Sequence, residues 1–332
     1  MIRVGLWGCG GVSGAHRRAY DNLEKAGVPV KLVALCDINK ENFNKEIKIN
    51  ISSDDDAPLP KIDNCYIDID EMIEKENLDL IDVCLPTFLH KDAVIKALER
   101  GINVLVEKPM ALSTDECKQM MDSASDSKGR FMVGHCVRFS KQYDFLKEIV
   151  KSGKYGKLIS AEFQRLSQTP LWKMGKTAQD GGVIFDMHIH DVDFALYLFG
   201  MPDSLSSVCN KNHTECDVVT TVFKYGDAFV NIKGDWSLPQ SFPFSTPYKI
   251  VFENAMIEFD GFDKVTLYED SGSHIIETEK MDSSIQCEIE YFVDLISNDK
   301  KNTVNHPDNS KKTIELIEKI RYSADNGGIW VE

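Results

Sequence analysis

Ile2-Arg3-Val4-Gly5-Leu6-Trp7-Gly8-Cys9-Gly10-Gly11-Val12-Ser13-Gly14 decides the fold of this chain. A short β-rich run, Ile2 to Trp7, leads straight into a glycine cluster, and a helical pattern follows from about Ser13 to Ala26. Between a strand and a helix, such glycines allow a tight turn and close backbone approach, and the first amides of the helix point at a phosphate with a favourable dipole. Gly8, Gly10, Gly11 and Val12 are therefore candidate pyrophosphate contacts. Ser13 stands where a third glycine or alanine is usual, and serine is small enough for the same close packing. A second strand, Val30 to Cys36, ends at Asp37, near the roughly 20-residue spacing at which a carboxylate binds ribose hydroxyls. No arginine follows within Ile38 to Asn44 to accept a 2′-phosphate, so the pattern favours NAD over NADP. The competing structural role for Asp37 is as a helix N-cap.

Outward from this turn, strand-like and helix-like segments alternate over the first 125 or so residues, with strands at Leu80 to Leu85, Asn103 to Glu107 and Arg130 to Val133 and helices at Lys91 to Arg100 and Thr114 to Ser123. That alternation predicts an α/β Rossmann domain with a doubly wound parallel sheet over residues 1–125. The stretch 45–61, with Asp54, Asp55 and Asp56 and two prolines, reads as an exposed acidic loop. After about Gly134 the pattern changes. A helix at Lys141 to Ser152, a strand at Leu158 to Arg165 and a helix from about Val183 to Leu198 precede a succession of strands from Leu205 to Glu269. Strands without intervening helices argue for a mostly antiparallel sheet and hence an α+β domain over 126–332. Two helices, Ile285 to Ser297 and Ser310 to Ala324, close the chain, and this C-terminal segment is a candidate to pack back on the first domain.

Two further stretches bring chemistry. In Val104-Leu105-Val106-Glu107-Lys108-Pro109 an apolar strand ends in a charged pair at its carboxyl edge, where open α/β sheets bind ligands. A lysine there can donate to a reacting oxygen and stabilise developing alkoxide charge. A solvated Lys108 paired with Glu107 is the commoner fate of such a pair. In Gly181-Gly182-Val183-Ile184-Phe185-Asp186-Met187-His188-Ile189-His190-Asp191-Val192-Asp193, an unbroken helix puts Asp186, His190 and Asp193 on one face and turns His188 away. His190 then suits the role of proton acceptor near neutral pH, with Asp186 orienting a hydroxyl. A metal held by His188, His190, Asp186 and Asp191 is the rival reading, and the divergence of an i, i+2 histidine pair on a helix argues against it. No metal is expected.

The glycine turn, Asp37, Glu107-Lys108-Pro109 and Asp186-x-x-x-His190, in this order, resemble the Gfo/Idh/MocA family of oxidoreductases over the whole chain. Val83-Cys84-Leu85-Pro86-Thr87-Phe88-Leu89-His90 is similar to a nicotinamide-side segment of that family, with Pro86 before Thr87 where many members carry the reverse order. Val133-Gly134-His135-Cys136-Val137-Arg138-Phe139 resembles the crossover stretch of its inositol 2-dehydrogenase-like branch. The resemblance implies that Lys108, Asp186 and His190 form the catalytic group, and that Pro86, Thr87, His90, Glu107 and Lys108 lie on the cofactor side. It implies Arg138 as a pocket residue, a structural salt bridge being the equal alternative, and Trp172 and Lys173 as residues overhanging the site, with Trp172 equally readable as a core anchor. His90 and His135 are equally readable as satisfied structural histidines. The resemblance further implies an open-faced sheet in the second domain through which members form dimers or tetramers. The activity expected is NAD(H)-dependent hydride transfer at a secondary hydroxyl or ketone of a sugar or cyclic polyol, myo-inositol-like in preference.

Composition bounds these expectations. With 332 residues, 42% hydrophobic and 27% charged, the chain is long enough for two cores. A net charge of −15 disfavours nucleic acid and anionic membrane as partners. Without a long apolar run or a secretory start the expectation is a cytoplasmic enzyme, in which nine scattered cysteines are free thiols. Two alternatives stand beside the dehydrogenase. A non-catalytic NAD-binding regulator shares the fold but has no use for Lys108, Asp186 and His190 together, and a Rossmann methyltransferase gives no account of Lys108 or His190.

Overall fold

A computed structural model of the chain describes residues 1–45, 58–170, 181–211, 214–277 and 283–332. The chain divides into two compact units, Met1–Phe139 with Asp282–Lys311, and Ser140–Met281 with Lys312–Glu332. The first unit carries a six-stranded sheet. Its strands are β1 (Ile2–Trp7), β2 (Val30–Cys36), β3 (Asn64–Tyr66), β4 (Leu80–Val83), β5 (Asn103–Glu107) and β6 (Phe131–Gly134). They lie in the order β3-β2-β1-β4-β5-β6 and every neighbouring pair is parallel. Both faces of such a sheet are covered by crossover helices, and so β4 is buried along its whole length and the interior of β5 is fully apolar.

The helices of this unit are α1 (Ser13–Lys25), α2 (Ile69–Glu76), α3 (His90–Glu99) and α4 (Thr114–Asp126). α1 buries Ala19, Tyr20 and Leu23 in one cluster with Leu6 of β1 and with Ile289, Phe292 and Val293. Those last three come from a late helix, so the segment 282–311 returns to the first unit. The boundary expected at 125 falls inside this unit because β6 completes the parallel sheet. Strand order reverses between β1 and β4, and the carboxyl edges on either side of that point are where an open α/β sheet binds its ligand.

In the second unit α5 (Asp144–Ser152) is followed by β7 (Leu158–Gln168), α6 (Ile189–Phe199) and seven further strands. These are β8 (Ser204–Asn210), β9 (Val218–Tyr225), β10 (Ala228–Leu238), β11 (Tyr248–Phe252), β12 (Met256–Phe259), β13 (Val265–Glu269) and β14 (Gly272–Ile276). The sheet runs β14-β13-β12-β11-β7-β10-β9-β8, antiparallel throughout except for the parallel pair β7 and β10. α6 packs its aromatic Phe194 against Phe163 of β7 and Tyr143. The chain closes with α7 (Ser284–Ser297) and α8 (Pro307–Asp325).

Three elements were not expected from sequence: the largely exposed β3, α2 capped by the Asp68 carboxylate at the amides of Asp70 and Glu71, and the exposed edge strand β14. The expectation of nine free thiols is corrected at one pair, since Cys209 and Cys216 are joined in a disulfide. Most of the acidic stretch 45–61 lies outside the described residues. Among the described residues no helix is long and apolar enough to cross a membrane.

Candidate active site

β1 ends in the glycine turn. Gly8 adopts φ 101°, and a Cβ there would meet the Cys84 carbonyl oxygen at 2.6 Å and the Leu85 nitrogen at 2.9 Å. Only glycine accepts both the left-handed backbone and this approach. A Cβ on Gly10 would point into open space, which leaves room for a ligand against the backbone. Ser13 donates to the Gly10 carbonyl at 2.6 Å, so the residue in the third-glycine position ties down the turn. α1 starts without a side-chain cap, which leaves its first amides for an anion.

Asp37 follows β2. Its Oδ2 accepts the Cys9 amide at 2.7 Å, and its Oδ1 accepts the Asn39 amide at 2.8 Å and Asn42 Nδ2 at 3.2 Å. The helical turn that follows is capped by Asn39, so capping does not account for Asp37. The carboxylate is instead locked across the glycine turn with lone pairs remaining for hydroxyl donors. An uncapped helix start, an open Gly10 and a fixed strand-end carboxylate together fit a dinucleotide, with Gly8 to Val12 at its pyrophosphate and Asp37 at its ribose.

The next two carboxyl edges carry the polar residues. After β4, Pro86 is exposed, Thr87 half-buried and His90 buried. The His90 ring nitrogens lie 2.8 Å from the carbonyls of Pro109 and Leu85, which ties the two edge loops together and gives the side chain a structural position instead of a free face toward a cofactor. Burial holds this imidazole below its ordinary pKa, against the pull of the two carbonyls. β5 ends at the buried Glu107 and the half-buried Lys108, which is joined to Pro109 by a cis peptide bond. Glu107 Oε2 accepts the Lys108 amide at 3.1 Å, and Oε1 lies 2.9 Å from His16 Nε2. Glu107 is thus an internal support for Lys108.

The donor atoms of His16, Asp82 and Cys84 lie within 4.8 Å of one another. Two ligands about 2.0 Å from a tetrahedral cation are roughly 3.3 Å apart. The 2.7 Å contact between His16 Nδ1 and Asp82 Oδ2 is therefore that of a shared proton. Arg138 is buried, and its Nη1 donates to the Val304 carbonyl within the same unit. This contact is to a backbone carbonyl and does not decide between the pocket role and the salt bridge expected for it.

In the second unit the segment expected as one helix from Val183 is split. Ile184–His188 forms a π turn, and regular α-helix begins only at Ile189. A π turn carries an extra residue, and each residue turns an α-helix by about 100°, so a face does not run unchanged through it. Such turns recur at functional sites. Asp186 sits in the π turn, half-buried, and His190 is 9% exposed in the first turn of α6. Asp193 does not share their role: it is buried and accepts from Thr313 Oγ1 at 2.8 Å. His188 is fully buried, with Nε2 at 2.8 Å from Thr221 Oγ1, and burial pushes its pKa down to about 3. Asp191 is gripped by Arg165. Two of the four candidate metal ligands are therefore committed elsewhere. Trp172 and Lys173 lie outside the described residues.

The supports missed in the sequence are His16, Asp82 and Glu288 in the first unit and Arg165 in the second. Arg165, at an inward-facing position of β7 in line with Ala161 and Phe163, was the one available signal.

Residues 2–135 match the model of an oxidoreductase family with an NAD-binding Rossmann fold, and residues 143–258 match the Gfo/Idh/MocA C-terminal domain. The chain is 32% identical over 143 residues to a 2,7-anhydro-N-acetylneuraminate hydratase of Mediterraneibacter gnavus, a match covering 42% of this chain and 38% of that one. It is 27% identical to a myo-inositol 2-dehydrogenase of Thermotoga maritima over 60% of this chain and 55% of the relative. These matches span about half the length of the curated relatives or less. In fold the chain is similar to a levoglucosan dehydrogenase solved with NADH and levoglucosan, with a TM-score of 0.85 at 19% identity, covering 99% of this chain and 98% of that one. Two family models thus account for both the parallel-sheet unit and the antiparallel one, and the chain belongs to the Gfo/Idh/MocA family of oxidoreductases, with an NAD-binding Rossmann domain as its first unit.

Proposed function

We propose that the protein catalyses reversible hydride transfer between NAD and a secondary hydroxyl-bearing carbon of a sugar or cyclic polyol, with a myo-inositol-like ring favoured. The observation that carries this reading is Lys108 at the carboxyl end of β5, its amide fixed on Glu107 in the unit that also holds the glycine turn and Asp37. NAD, when bound, supplies the acceptor for the hydride. His190 takes the hydroxyl proton as the C–H bond gives up its electron pair and the carbonyl forms. Lys108 Nζ donates to the reacting oxygen and offsets its negative charge, and Asp186 accepts from a substrate hydroxyl and orients the ring. Reduction runs through the same residues in reverse.

Relatives named for a cyclic polyol and for anhydrosugars support the substrate class. The test is absorbance at the NADH band while the purified chain and NAD are offered myo-inositol, scyllo-inositol, levoglucosan and glucose. A rise with one class, absent in Lys108→Ala, is the expected result. NADH binding with no turnover across a wider panel would favour the non-catalytic regulator.

A further inference from the structure

His16 has no exposed surface and is bonded on both sides. Its Nδ1 lies 2.7 Å from Asp82 Oδ2 in β4, and its Nε2 lies 2.9 Å from Glu107 Oε1 at the end of β5. Tyr20, one turn further along α1, donates to the same Asp82 oxygen at 3.0 Å. The other Glu107 oxygen accepts the Lys108 amide at 3.1 Å. A line of hydrogen bonds therefore runs from α1 through β4 to Lys108, all within the first unit.

A neutral imidazole has one N–H and one bare nitrogen, and a bare nitrogen facing a carboxylate is repulsive. Two flanking carboxylates are both satisfied only by the doubly protonated ring. Burial pushes the His16 pKa down, but the charge and hydrogen bond of Asp82, with Cys84 adding to them, carry it well above its ordinary value. Burial acts upward on Glu107, and the bond and charge of His16 bring it below the usual carboxylate range.

A third buried carboxyl, Glu288 of α7, closes the cluster. Its Oε1 and Glu107 Oε1 lie 3.1 and 3.3 Å from the point where a Cβ on Gly134 would stand. Asn305 donates to Glu288 Oε2 at 2.9 Å, while Oε1 has no hydrogen-bond partner among the described residues. Burial and then the charge of Glu107 push Glu288 well up, so it is the neutral member. The groups facing the imidazole are thus Asp82, Glu107, Tyr20 and Cys84, with Glu288 beyond them.

We infer that His16 is a positioning residue for Lys108: by bonding Glu107 Oε1 it fixes the carboxylate whose Oε2 holds the Lys108 amide, and so sets the direction in which the Lys108 side chain leaves β5. The inference rests on the proposed catalytic role of Lys108 and adds a residue that touches neither substrate nor cofactor. A merely space-filling His16 makes no distinction between its two nitrogens, whereas this role depends on Nε2.

Asparagine reproduces the donor position of histidine Nδ1, and glutamine that of Nε2. His16→Gln keeps a donor for Glu107 and His16→Asn does not. The readout is hydrogen exchange of the Lys108 amide in the purified chain, without cofactor or substrate. A bond to a charged acceptor contributes about 1.5–3 kcal/mol, so exchange in His16→Asn is expected to be about tenfold or more faster than in the wild type. His16→Gln is expected to stay within about threefold of the wild type. Equal acceleration in both variants, or none in His16→Asn, overturns the inference. The wild-type imidazole 15N spectrum at pH 7.5 needs no variant: two protonated ring nitrogens are expected, and a bare one overturns the account even if both variants fail to fold. Full turnover in Lys108→Ala would overturn the catalytic assignment itself, a failure that leaves the exchange rates as they are.

Discussion

The Arg165 guanidinium of β7 holds the Asp191 carboxylate of α6 through two bonds, 3.1 Å from Nε and 3.0 Å from Nη2, with both groups buried. Asp191 adjoins His190, so the pair fixes the first turn of α6 onto the sheet beside a proposed catalytic residue. Burial pushes the Asp191 carboxyl up and Arg165 offsets part of that shift. Arg165→Met leaves the carboxylate buried and uncompensated, which is expected to cost about 3–5 kcal/mol in chemical denaturation at pH 7. A folded-state pKa above the unfolded one makes stability fall as pH rises through that range. The loss in Arg165→Met is therefore expected to be smaller at pH 4, where Asp191 takes a proton, than at pH 7. A pH-independent loss would contradict the assignment.

His188 gives the opposite pH dependence. Burial depresses its pKa from 6.5 to about 3, so below pH 6.5 the unfolded chain takes a proton that the folded chain refuses. Stability should fall toward acid by about 1.4 kcal/mol per pH unit from this group alone, over the window from 6.5 to about 3. Denaturation midpoints of wild type and His188→Gln between pH 7 and 4.5 should converge as the pH drops. Parallel curves would show that His188 is charged in the folded chain.

Gly8→Ala introduces a Cβ 2.6 Å from the Cys84 carbonyl oxygen at a left-handed φ of 101°. Strain of this kind costs roughly 1–3 kcal/mol. NADH titration by fluorescence should show at least about a tenfold weaker binding, since the turn must move. Unchanged affinity would mean that the turn does not hold the cofactor.

Asp37→Ser removes the charge that a 2′-phosphate would meet while keeping a hydroxyl near the Cys9 amide. NADPH affinity is expected to rise relative to NADH by roughly tenfold or more. A ratio that does not move would place the discrimination elsewhere.

Much of the first unit was legible because its signals are local. Gly8, Asp37 and Glu107-Lys108-Pro109 mark the ends of β1, β2 and β5, and strand ends are where a parallel sheet exposes its backbone. β3 escaped notice because a three-residue edge strand has no burial pattern, although Asp68 before Ile69 carried a capping signal for α2. The π turn at Ile184–His188 was hidden because five buried or half-buried residues fit a regular α-helix as well, and it interrupts the unbroken helix on which Asp186 was placed with His190 and Asp193. The His16 cluster was not legible at all. Asp82 and Glu107 meet His16 only because β4 and β5 become neighbours beneath α1, a fact of strand order and not of spacing along the chain.

The most direct test of the central claim follows the hydride itself. The purified chain is incubated with NAD and myo-inositol deuterated at every ring carbon, and the NADH formed is examined by mass spectrometry. The account predicts one deuterium per reduced nicotinamide with the wild type and no product with Lys108→Ala. Turnover that leaves the nicotinamide free of deuterium, or an undiminished rate in Lys108→Ala, would contradict it.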